Sequence, residues 1–123
     1  MAMNWTDILI AIAILAAFVI YRRAGLISIK GAQSYLKNGA MVIDVRTAGE
    51  FVAGHLPIAV NLPLSEIETN LSRRVKDKNQ VLLLHCQSGA RSGVAKKKLI
   101  DLGCPNAFNM GSYARAEKIV AGK

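Results

Sequence analysis

The chain has little with which to cross-link itself or hold a metal: two cysteines, Cys86 and Cys104, and two histidines, His55 and His85, in 123 residues. The cysteines stand eighteen positions apart and form no CxxC pair, which excludes a disulfide-dense scaffold and the paired ligands of a structural zinc site. That usage fits a reducing compartment. Acidic residues are also scarce, eight against sixteen Lys and Arg, for a formal charge of +8. A surplus of this size is compatible with nucleic acid, anionic lipid or a small anionic substrate, and does not by itself select among them. The length leaves no room for a second catalytic domain.

Charge is missing altogether from Ile8 to Tyr21, "ILIAIAILAAFVIY", and Trp5 extends this segment to seventeen positions with Asp7 as its one acid. Seventeen residues make about 25 Å of helix, against a hydrocarbon core of about 30 Å. Trp5 and Tyr21 occupy the two ends, and Arg22 and Arg23 follow, where snorkelling lengthens the effective span. A cleaved signal peptide would place basic residues before its apolar core; here the only charge before it is Asp7. A helix apolar on all sides would need a larger protein to bury it. Residues 1–23 are therefore expected to be a transmembrane anchor. Its basic flank places the N-terminus outside, and residues 24–123 become a cytoplasmic domain at the cell membrane.

Beyond the segment, helix and strand signals alternate. Ser28 can cap a helix through Leu36 that stops at Asn38-Gly39, and "AMVIDV" at 40–45 reads as a buried strand. "TAGE" at 47–50 is a capping-box pattern for a helix through Val52 ending near Gly54, and "SEIE" at 65–68 repeats it for a helix through about Leu71. "IAVNLP" between them is a weaker strand candidate. "QVLLL" at 80–84 is apolar at successive positions, as in a parallel strand covered on both faces. A helix from Ser92 to about Leu102 follows, with Val94, Ala95, Leu99 and Leu102 as its apolar stripe; a strand near "NAFNM" and a helix from about Tyr113 close the chain. This order predicts an α/β fold with a mainly parallel central sheet, whose ligand crevice lies beyond the carboxyl ends of the strands.

Cys86 falls at such an end, in "HCQSGARS". A short loop containing Gly89 lets backbone N–H groups turn inward, the following helix aims its positive end at the loop, and Arg91 adds a full charge. All three favour the thiolate, the nucleophilic form of cysteine. The plain alternative, a small buried cysteine beside a strand, has no use for the glycine or the cation. His85 is a poor general base here, because neighbours along a strand point to opposite faces.

At this point the chain resembles the single-domain rhodanese sulfurtransferases. The resemblance rests on "CQSGARS", "VIDVR" at 42–46, "EFVAGHLPIAVNLPL" at 50–64 and the order of elements from about residue 28 to 112. It implies a rhodanese-like fold in which Cys86 accepts a sulfane sulfur as a persulfide. Gln87, Ser88, Gly89, Ala90, Arg91 and Ser92 would cradle sulfur and substrate, with Arg91 holding an anionic donor such as thiosulfate, and a thiol or cyanide-like acceptor would then remove the sulfur. Neither metal nor organic cofactor is implied, nor a nucleic-acid partner. The non-enzymatic alternative is a membrane-tethered persulfide carrier or docking module. Cysteine-dependent phosphatases, including relatives that share this fold, carry C-x5-R loops, one residue longer than the C-x4-R from Cys86 to Arg91, which disfavours phosphatase or arsenate reductase activity.

The remaining polar residues have plainer readings. Asp44 and Arg46 are chiefly structural in the resembled family, and His55 is expected to order its turn. "KKK" at 96–98 is a solvated helix face or a surface against anionic headgroups, and Cys104 is either an inert thiol or a resolving partner for Cys86. The chain departs from the family pattern at Ile58, where many relatives have glycine, at "GSY" (111–113), where a Gly-Gly pair before an aromatic residue is usual, and at Gln87, where relatives often carry a cation. An uncharged Gln87 weakens the case for thiosulfate and favours a polysulfide or persulfide donor.

Overall fold

The computed structural model describes residues 2–122, with the side chains of residues 22–24 outside the description. In chain order the elements are α1 (Trp5–Ala24), α2 (Ile29–Lys37), β1 (Met41–Asp44), α3 (Ala48–Ala53), β2 (Val60–Asn61), a 3-10 turn (Leu64–Glu66), α4 (Ile67–Arg74), β3 (Leu82–His85), α5 (Ala90–Asp101), β4 (Ala107–Gly111) and α6 (Tyr113–Ala121). The strands form one sheet in the order β2-β1-β3-β4, parallel at every pairing. Helices cover both faces, so Leu82, Leu83 and Leu84 of β3 are all fully buried.

The side-chain alternation of the strands divides the core in two. On one face Ile43, Leu82, Leu84 and Cys86 pack with Ile67 and Leu71 of α4 and Ala95 and Leu99 of α5. On the other, Val42, Leu83 and Met110 pack with Ala32 of α2 and Ala116 and Ile119 of α6. Consecutive residues at the end of β3 therefore part company: Cys86 joins the α4/α5 face while His85, in step with Leu83, lies on the α2/α6 face.

Local chemistry sets most of the element ends. Ser28 accepts the Gly31 N–H at 3.1 Å to cap α2, and Gly39 turns the chain at φ 89° after it. Thr47 and Glu50 form a reciprocal capping box at the start of α3, and Ser112 caps α6. Three expectations need correction here. Ser65 caps no helix: Pro63 enters a 3-10 turn, its carbonyl accepting the Glu66 N–H at 2.8 Å, and α4 runs on to Arg74. Helix α5 begins at Ala90 rather than Ser92, because Gly89 at φ 98° already makes the turn. The covered side of α5 is Ser92, Ala95 and Leu99, while Val94 is exposed.

The expected anchor is also corrected. Among the described residues no helix is long and apolar enough to cross a membrane. Helix α1 has twenty residues, but its uncharged run from Ile8 to Tyr21 covers fourteen. Fourteen residues rise about 21 Å, well short of a core of about 30 Å. Extending the run to Trp5 and crediting the basic pair with snorkelling gave the segment reach that this length lacks. The single-pass membrane placement, the outward N-terminus and the cytoplasmic assignment of the domain go with it.

Candidate active site

The loop after β3 is folded around the sulfur of Cys86. The Gly89 N–H lies 3.0 Å from Sγ, the Ser92 N–H 3.4 Å and the Ser92 hydroxyl 3.5 Å. Burial of Cys86 opposes its ionisation, but hydrogen bonds from the Ser92 hydroxyl and from the Ser92, Gly89 and Ser88 N–H groups outweigh it and bring the thiol below its ordinary pKa. The groups that favour the thiolate are thus donors within the loop and first turn of α5. The loop is pinned from outside as well: the Cys86 N–H donates to the Gly111 carbonyl at 3.3 Å and the Tyr113 N–H to the Gln87 carbonyl at 3.2 Å. A Cβ on Gly89 would meet the Gly111 backbone at 3.3 Å, so residue 89 is restricted by space as well as by its positive φ.

Asn109 on β4 is a site residue that the sequence reading missed. Buried, it accepts the Ser92 hydroxyl at 2.7 Å and the Gly111 N–H at 2.8 Å through Oδ1, and donates from Nδ2 to the Gly89 carbonyl at 3.3 Å. It ties the loop to the turn on which the loop rests. Nothing in "NAFNM" announces this, since it depends on β4 pairing with β3.

In sequence Glu50 is a helix cap, and the structure keeps it as one: Oε1 accepts the Thr47 N–H at 3.2 Å. The same carboxylate takes Arg91 in a two-pronged grip, Nη1 to Oε1 at 2.6 Å and Nη2 to Oε2 at 3.0 Å. Its hydrogen bonds from Arg91, then from Thr47, hold the Glu50 carboxyl at about 2, so the pair stays charged through the whole neutral range. Glu50, Arg46, Ala53, Gly54, Gln87 and Tyr113 line a cleft of about 300 Å³ beside the loop.

The other candidates fall where plainer roles suit them. Arg46 grips Asp44 in the interior, Nη2 to Oδ2 at 2.7 Å, and spends a further donor on the Gly54 carbonyl at 2.7 Å. His55 Nδ1 meets the Phe51 carbonyl at 2.8 Å and its ring stacks on Phe51, ordering the turn. His85 is buried against the Tyr113 edge, with Nδ1 3.2 Å from the Cys86 carbonyl; burial holds it neutral. Its Nε2 has no hydrogen-bond partner among the described residues. Lys98 reaches Glu68 at 3.5 Å on the surface. Cys104 lies past the far end of α5, before β4, whereas Cys86 precedes α5. The twelve residues of that helix rise about 18 Å, and the two thiols stand at its opposite ends. No group of acids, histidines and cysteines suited to a metal occurs among the described residues.

The rhodanese-like domain model matches residues 28–115, a stretch that includes the sheet, the loop and its supports. The chain belongs to the rhodanese-like domain family. Its rhodanese-like domain is 35% identical over 69 residues to the thiosulfate sulfurtransferase PspE of Escherichia coli, covering 56% of this chain and 66% of that protein. It is 32% identical over 101 residues to the human thiosulfate:glutathione sulfurtransferase, covering 71% of this chain and 88% of that protein. Among solved structures, the human single-domain sulfurtransferase TSTD1 superposes with a TM-score of 0.65 at 28% identity, over 76% of this chain and 96% of that one. Homologues of this rhodanese-like domain are thus named for sulfur transfer from thiosulfate.

Proposed function

We propose that this rhodanese-like domain is a sulfurtransferase in which Cys86 carries the sulfur, with residues 24–123 as the working unit. The observation that carries the reading is the ring of donors on Sγ from Gly89 and Ser92, which favours a thiolate and leaves N–H groups where a second sulfur would need them. Cys86 thiolate attacks the outer sulfur of thiosulfate; a new S–S bond forms, the old one breaks, and sulfite leaves with its electron pair. With a persulfide donor, R–S–SH, the same attack releases the thiolate R–S⁻. A thiol or cyanide-like acceptor then takes the outer sulfur and restores the Cys86 thiolate. The backbone from Gln87 to Ser92 cradles the transferred sulfur, and Gly89 and Ala90 keep that cradle small. The C-x4-R spacing favours this reading over phosphatase or arsenate reductase chemistry. Treatment with thiosulfate or a persulfide should add the mass of one sulfur atom to the Cys86 peptide, and cyanide should release it as thiocyanate; no adduct from either donor would end the proposal.

The complete burial of Cys86 favours a second reading, a persulfide carrier that loads but turns over slowly. A stable adduct with negligible thiocyanate release would select it.

A further inference from the structure

Resting on the sulfurtransferase reading, we propose that Glu50 is a specificity-determining residue that cancels the charge of Arg91 and turns the site away from doubly anionic donors. Two guanidinium groups lie near the loop, Arg46 in the cleft wall and Arg91 outside it on the far side of Glu50, and each already holds a carboxylate: Arg46 holds Asp44 and Arg91 holds Glu50. Gln87 adds no charge, and of the residues lining the cleft only Arg46 and Glu50 are charged. Thiosulfate would bring two negative charges toward a thiolate with no uncompensated cation from these pairs to receive them. A persulfide brings one at most, and its neutral form brings none.

The grip of Glu50 is built in rather than incidental. Thr47 donates to Glu50 Oε1 from both its N–H, at 3.2 Å, and its hydroxyl, at 3.2 Å, so the cap of α3 aims the carboxylate before Arg91 arrives. Parallel pairing of β1 with β3 then brings α3, which follows β1, beside α5, which follows β3. The two nitrogens engaged by Glu50 leave the remaining N–H groups of Arg91 free of it, so the pairing removes net charge without removing every donor. Glu50 acts through Arg91 and is a positioning residue, not a catalytic one.

Donor preference tests this on the full chain, with sodium thiosulfate and 2-hydroxyethyl persulfide as probes and kcat/KM for Cys86 persulfide formation as the readout. Wild type should load more efficiently from the persulfide. Glu50→Gln, which keeps a capping-box side chain and can still hydrogen-bond Arg91, frees the cation; the thiosulfate-to-persulfide ratio should rise about tenfold, mostly through a lower KM for thiosulfate. Glu50→Asp should restore the wild-type ratio. The double variant Glu50→Gln/Arg91→Gln should lose the gain, because no freed cation remains. A wild-type preference for thiosulfate, or a ratio that Glu50→Gln leaves within twofold, would overturn the inference while sulfur transfer stood. Loading from neither probe would overturn both.

Discussion

Cys86 and Cys104 are both fully buried and belong to the same apolar cluster, yet their thiols move in opposite directions. Burial lifts the Cys104 thiol above its ordinary pKa, and the charge of Lys78 opposes this without offsetting it. Burial acts on Cys86 in the same sense and is overcome by hydrogen bonds from Ser92, Gly89 and Ser88. Burial therefore does not decide in which direction a thiol of this fold shifts. The difference lies at the two ends of one helix: Cys86 stands before the N–H groups that begin α5, and Cys104 stands beyond its carbonyl end.

The largest expected effect comes from removing one sulfur and then the other. Cys86→Ser should abolish persulfide formation, a loss of roughly a thousandfold or more, while Cys104→Ala should hold transfer within about twofold. Mass spectrometry of the donor-treated proteins checks both, and a persulfide on Cys104 would break the contrast. Next in size is Gly89→Ala. It forces a side chain into the left-handed region and against the Gly111 backbone, costing about 1–2 kcal/mol in urea denaturation, and it should cut sulfur transfer by roughly a hundredfold by moving an N–H off the sulfur.

Ser92→Ala removes the hydroxyl bond to Sγ and should raise the Cys86 pKa toward that of an ordinary thiol. Transfer at neutral pH should fall about tenfold, and the loss should shrink as pH rises and the thiolate is recovered. The mildest test is thermodynamic. A folded-state pKa below the unfolded value means that the unfolded chain binds more protons in between, so the Cys86 contribution to stability grows as pH rises through its folded pKa and is lost as pH falls through it. The Cys104 contribution has the opposite sign: it is full below the unfolded thiol pKa and declines as pH rises toward the folded one. Melting temperatures of Cys86→Ser and Cys104→Ala relative to wild type, followed from neutral pH to about pH 10, should diverge in these two directions.

Much of the candidate site was legible in the chain. The run "QVLLL" signalled a doubly covered strand, and "HCQSGARS" placed a cysteine before a glycine turn and a helix. Asp44 and Arg46 pair with each other and His55 binds the Phe51 carbonyl, contacts in keeping with the plain readings of these residues. What escaped was whatever depends on two distant segments meeting. Asn109 matters because β4 pairs with β3, and Glu50 because β1 pairs with β3; in sequence one is a strand residue and the other a helix cap. The pairing of Arg91 with Glu50 is hidden in the sequence for the same reason. The N-terminal run misled differently: its composition is that of a membrane span, but the uncharged length is too short for one.

The most direct measurement is the ultraviolet titration of thiolate in two single-cysteine proteins, Cys104→Ala and Cys86→Ala. Cys86, alone in the first, should ionise below the pKa of an ordinary thiol, and Cys104, alone in the second, above it. A Cys86 midpoint at or above the ordinary value would contradict the claim that the loop makes this sulfur a nucleophile.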